Sequence, residues 1–176
     1  VKLRLNWTIL ATLLLLLLQT SVLPWLVPPG WSDRLLPHLP FLMTIFVALF
    51  GNRHRAFFFG LGFGLLEDIL FYGQLIGAYG FTMALLGYLF GLIPERRSRT
   101  LGLTLGCVAL GSAILDLAIF GIYELFQLVN VTFAFAVYWH MVPTLLISVL
   151  LALLLYIPVR RWLVKNIASS ADENGA

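Results

Sequence analysis

Charge is scarce in this chain. Of its 176 residues only 11% are Asp, Glu, Lys or Arg, less than half of the roughly 25% usual in soluble domains. That is too little to build the polar surface a soluble domain of this length needs. Cysteine is nearly missing as well. Cys107 stands alone inside an apolar run, which excludes an intrachain disulfide and a cysteine-based metal site. The formal net charge is only +3, and the basic residues do not gather into the patch that a nucleic-acid footprint requires. No nucleophile elbow, phosphate loop or zinc motif occurs, and no cofactor is expected. What the sequence has in quantity is apolar side chains, 61% of all residues, with a mean hydropathy of +0.97. These features predict an all-α, polytopic membrane protein.

A helix that crosses the hydrocarbon needs about 20 apolar residues. Stretches 5–26, 35–50, 56–72, 78–93, 101–128 and 138–157 qualify or nearly do, predicting six transmembrane helices. The second, third and fourth are short, which low tilt or local bilayer thinning would accommodate. The basic residues orient them. With a cytoplasmic N-terminus, Lys2, Arg4, Arg53, Arg55, Arg96, Arg97, Arg99, Arg160, Arg161 and Lys165 lie inside and Arg34 alone lies outside, ten against one of the 11. This is a strong positive-inside bias. Removing the second span would move Arg53 and Arg55 to the wrong side, so both termini are expected in the cytoplasm. Trp7, Trp25, Trp31, Trp139 and Trp162 fall near the predicted helix ends, as an interfacial aromatic belt requires. The basic and then apolar opening resembles a signal peptide but lacks a small-residue cleavage site, and reads as an uncleaved first helix. Residues 1–168 are expected to form one six-helix domain and 169–176 a disordered cytoplasmic tail.

Acidic residues inside spans are the first candidates for function. Asp68, Asp116, Glu67 and Glu124 all lie in predicted helices, where an isolated carboxylate costs about 2.5–3.5 kcal/mol on insertion scales. Glu67 and Glu124 read best as polar clamps between helices or as residues near the outer interface. Asp68 and Asp116 are the stronger candidates for a substrate, ion or partner-helix contact. A faint repeat relates them: residues 64–73 align with 112–121 at an offset of 48, and each copy has an Asp five residues before a Gly. A duplicated helical hairpin would produce this pattern.

Glycine marks expected helix contacts. Gly60 and Gly64, Gly87 and Gly91, and Gly102 and Gly106 are each four apart, and Gly80 shares a face with Gly87 and Gly91. Such spacing lets backbones approach closely, more often within a chain than across a dimer seam, and it also offers a surface for a docking partner. Gly73 and Gly77 flank a tight outer turn. His38, His54 and His140 show no metal-ligand spacing, so solvated or hydrogen-bonded roles are expected. Tyr138, Trp139 and His140 followed by Pro143 predict an interfacial start and a kink in the last helix.

Three stretches resemble the MreD family of bacterial rod-shape membrane proteins. They are Leu18-Gln19-Thr20-Ser21-Val22-Leu23-Pro24, Leu39-Pro40-Phe41-Leu42, and Gly60 to Asp68 continued by Gly73, Gly77, Tyr79 and Gly80. Phe41 stands where the family usually has Asp. The resemblance implies a non-catalytic scaffold that associates with MreC. Through MreC it would support the RodA glycosyltransferase and its class B penicillin-binding transpeptidase, with a connection to MreB inside. The alternative is the substrate-binding membrane subunit of an energy-coupling-factor vitamin transporter, to which six short helices with buried carboxylates are also similar. The few polar groups in the outer loops speak against it.

Overall fold

A computed structural model describes residues 5–26, 38–72, 75–93, 100–128 and 132–172. Every regular element among the described residues is helical. Helix α1 spans Leu5–Leu26, α2 Leu39–Phe50 and α3 Arg53–Glu67, which a π-turn, Asp68–Tyr72, prolongs. Helix α4 spans Ala78–Phe90, α5 Leu101–Leu125 and α6 Val142–Asp172; a helical turn, Phe133–Ala136, and a second π-turn, Val137–Met141, lead into α6.

Among the described residues two segments are long and apolar enough to cross a bilayer, Leu101–Leu125 and Phe133–Ile157, with mean hydropathies of 2.1 and 2.2. Helices α2 and α4, at 12 and 13 residues, are shorter than a full span. With 12 residues α2 rises about 18 Å, against a hydrocarbon thickness of about 30 Å. The packing explains how so short a helix is tolerated. Every residue of α2 except Phe50 is buried, and α1, α3, α4, α5 and α6 all pack on it. A helix that is apolar all round must be enclosed. Enclosed by protein, it is not matched to the thickness of the lipid. Phe41, Leu42, Ile45, Phe46 and Leu49 form the centre of the core.

Helices α3 and α4 make the tightest contact. A Cβ on Gly64 would stand 2.6 Å from Gly80 Cα, and one on Gly60 would stand 2.6 Å from the Met83 carbonyl oxygen. From the other side, a Cβ on Gly87 would meet the Ala56 carbonyl and one on Gly91 would meet Arg53 Cα. The face formed by Gly80, Gly87 and Gly91 is therefore spent inside the chain. The expectation that it serves as a docking surface is corrected, because α3 already occupies it. Among the described residues nothing lies within 4 Å of where a Cβ on Gly102 or Gly106 would stand.

The distribution of polarity is inverted relative to a soluble protein. Leu14, Phe58, Ile69, Phe81, Leu110, Leu146 and Leu154 are exposed, whereas His38, Glu67, Asp68, Ser112, Asp116, Thr144 and Ser148 are buried. Thr12, Thr44 and Thr82 donate their hydroxyls to the carbonyls four residues earlier, the back-bonding that satisfies a hydroxyl inside a helix. The second π-turn has a local cause. Pro143 lacks the N–H that would bond the Trp139 carbonyl, and its ring crowds that turn; the backbone widens over Val137–Met141 to relieve it. Helix α6 runs on to Asp172.

Candidate functional site

The buried polar residues converge where the start of α2 meets the end of α3, the start of α4 and the middle of α5. Asp68 opens the π-turn and is fully buried. Its Oδ2 accepts hydrogen bonds from the N–H groups of Gly77 and Gly80, each at 3.0 Å, and its Oδ1 accepts one from Tyr79 at 3.2 Å. The first N–H groups of any helix lack intrahelical acceptors. Asp68 therefore caps α4 from a neighbouring element, and its negative charge suits the positive end of the helix dipole. The cap depends on Gly77, whose φ of +107° is a left-handed conformation that a side chain would strain.

His38 precedes α2 and is 2% exposed. Its Nδ1 lies 3.8 Å from Glu67 Oε1 and its Nε2 lies 3.7 Å from Asp116 Oδ1. The imidazole thus stands between carboxylates from α3 and α5, and its ring lies 5.2 Å from the Tyr79 ring of α4. These distances are electrostatic contacts rather than formed hydrogen bonds. For both contacts to be attractive the three groups must hold two protons between them, either both on the ring or one on the ring and one on a carboxyl. One helix further on, Gln19 Oε1 of α1 accepts the Leu39 N–H at 3.1 Å, supplying the first amide of α2; Pro40, the next residue, has none to satisfy.

Chemically the arrangement ties α2, α3, α4 and α5 together through polar contacts in an apolar interior. The two ring nitrogens point at opposite carboxylates, so one ion cannot be held by both. Among the described residues no group of three His, Cys, Asp or Glu side chains is placed to hold a metal.

The expected candidates separate in space. Glu67 and Asp116 meet on His38, while Asp68, next to Glu67 in sequence, accepts from the N–H groups at the start of α4. The aligned positions Asp68 and Asp116 are not equivalent: one caps a helix, the other meets an imidazole. Glu124 is exposed near the end of α5 and outside the cluster. Gly73 lies outside the described residues. Sequence reasoning missed His38 and Gln19, and the expectation of a solvated or ordinary hydrogen-bonded His38 is corrected by its burial between two acids. Gln19 had a signal, as an amide in the interior of an apolar helix. Ser112 had one too, a turn before Asp116 on the buried stripe Thr104, Val108, Gly111, Leu115 and Ile119. His38 had none, because its partners lie 29 and 78 positions away.

A family model described as rod shape-determining protein MreD matches residues 2–166. The rod shape-determining protein MreD of Bacillus subtilis (strain 168) is 30% identical over 143 residues, covering 81% of this chain and 83% of that protein. No solved structure matches the chain. The chain belongs to the MreD family, a family of bacterial membrane proteins whose role is rod shape determination. That membership does not favour the vitamin-transport alternative.

Proposed function

We propose that this chain is a non-catalytic, six-span scaffold of the bacterial inner membrane. Both termini lie in the cytoplasm, and it binds MreC to support the RodA and class B penicillin-binding synthases alongside MreB. The observation that carries this reading is the use made of the buried polar groups. His38, Glu67, Asp68, Asp116 and Gln19 contact other helices and the ends of helices, as a rigid framework needs. The uneven distribution of Lys and Arg supports the orientation. The short helices fit the six-span reading if the central ones are sheltered from lipid, as α2 is. A protein with so little polar surface meets partners through lipid-facing helix sides, where close packing drives association. Pull-down of the full chain from native membranes tests the assignment. Co-isolation of MreC and the elongation synthases is expected; co-isolation of a vitamin-transport ATPase module without them would overturn it.

A further inference from the structure

One side of α3 forms a stripe that the buried cluster does not use. Arg55, Phe58, Phe59, Gly62, Phe63 and Leu66 recur at the spacing of a single helical face and, with Ile9 and Leu13 of α1 opposite, line a groove of about 470 Å³. That volume falls within the range of about 300–1,000 Å³ typical of small-molecule sites. The polarity of the groove runs one way. Arg55 and His54 line one end, and everything beyond them is apolar. Arg53, two residues earlier, is turned to the Tyr88 ring, 5.9 Å from its centroid. From Arg55 to Leu66 the helix rises about 16 Å, close to half of the roughly 30 Å hydrocarbon thickness. At mid-groove Gly62 leaves the wall open, since a Cβ there would meet nothing within 4 Å.

We propose that this groove binds one anionic phospholipid, with its phosphate against Arg55, since His54 Nε2 accepts from Arg53 Nε at 3.4 Å, and one acyl chain lying over Gly62 as far as Leu66. Two features select the occupant. The basic end matches a phosphate and not an apolar segment of protein, and the apolar length matches one leaflet. The site lies on the side of the protein that the basic residues assign to the cytoplasm, where anionic lipid attracts juxtamembrane Arg. It rests on the membrane reading above and not on the role in cell shape.

The test uses the purified full chain in mild detergent, with phosphatidylglycerol and phosphatidylcholine in equal amounts, and native mass spectrometry as the readout. The wild type is expected to retain one phosphatidylglycerol in preference. Arg55→Gln should reduce that preference about fivefold, the effect of one basic residue near an anionic headgroup. Gly62→Leu should abolish retention of both lipids with the thermal unfolding unchanged; Leu13→Trp, which fills the groove from the opposite wall, should do the same and serves if Gly62→Leu fails to fold. Equal retention of the two lipids by the wild type, or full retention in both filled variants, overturns the proposal. A photo-crosslinker placed at Phe58 in native membranes should capture lipid; capture of a protein helix in its place also overturns it. A variant that keeps the lipid but fails to support rod shape would count against the cellular role alone.

Discussion

Replacing Asp68 offers the sharpest energetic test of the buried polar framework. Its carboxylate serves three N–H groups at the start of α4, of which Tyr79 and Gly80 are in buried contacts and Gly77 is partly accessible. Asp68→Leu removes every acceptor. A buried donor left unsatisfied costs about 1–3 kcal/mol, so the two buried amides predict a loss of about 2–6 kcal/mol, with the Gly77 amide recovering part of its loss from solvent. Asp68→Asn keeps one oxygen. Placed where Oδ2 now lies, that oxygen still serves Gly77 and Gly80 and leaves Tyr79 facing an NH₂ group, a loss of about 1–3 kcal/mol. The order wild type, Asn, Leu should appear in equilibrium unfolding of the purified protein in mixed micelles. The helical signal of α4 is expected to be the first to fray. If Leu and Asn behave alike and both match the wild type, the cap contributes nothing and the reasoning fails.

The remaining predictions concern the imidazole, the glycine seam and the topology. His38→Leu strands two buried carboxylates and should cost about 3–5 kcal/mol, whereas adding Glu67→Gln and Asp116→Asn to it should recover most of that loss; simple additivity in the same unfolding assay would show that the three groups do not interact. Gly64→Ala forces a Cβ against Gly80 Cα and should destabilise by about 1–3 kcal/mol, while Gly102→Ala, with open space around it, should leave thermal unfolding unchanged or slightly raised. With Cys107→Ala as background, Arg53→Cys and Arg97→Cys should react with an impermeant thiol reagent only from the cytoplasmic side; labelling of either from outside would refute the proposed orientation.

The helical class was legible because a chain this apolar has little choice. In lipid the backbone must satisfy itself, and a helix does so within one segment. The bounds of α1, Leu5–Leu26, coincide with its apolar run, since a change to turn chemistry at Pro28 and Pro29 ends the run. Where the apolar run continued beyond the observed helix, as at residues 91–93 after α4, composition alone could not mark the stop. The site was legible only in part. A carboxylate within a predicted span announces itself by its desolvation cost, which singled out Glu67, Asp68 and Asp116 but also Glu124, which is exposed and outside the cluster. Their partners could not be read, because helix periodicity orders residues along one element and says nothing about which elements meet. His38 illustrates this, being an ordinary residue of a loop until α3 and α5 close on it. The glycine face of α4 illustrates it again. Gly80, Gly87 and Gly91 read equally well as a seam for a partner or for α3, and three-dimensional packing gave them to α3.

The central claim, that this protein acts as a framework for rod shape, is tested most directly by depleting it from a rod-shaped host while following cell width and the position of a fluorescent MreC. The account predicts that cells round up and MreC disperses, and that re-expression of the wild type restores both, while Asp68→Leu does so poorly. Depleted cells that stay rod-shaped, keep MreC in place and lose uptake of a single small nutrient would contradict it.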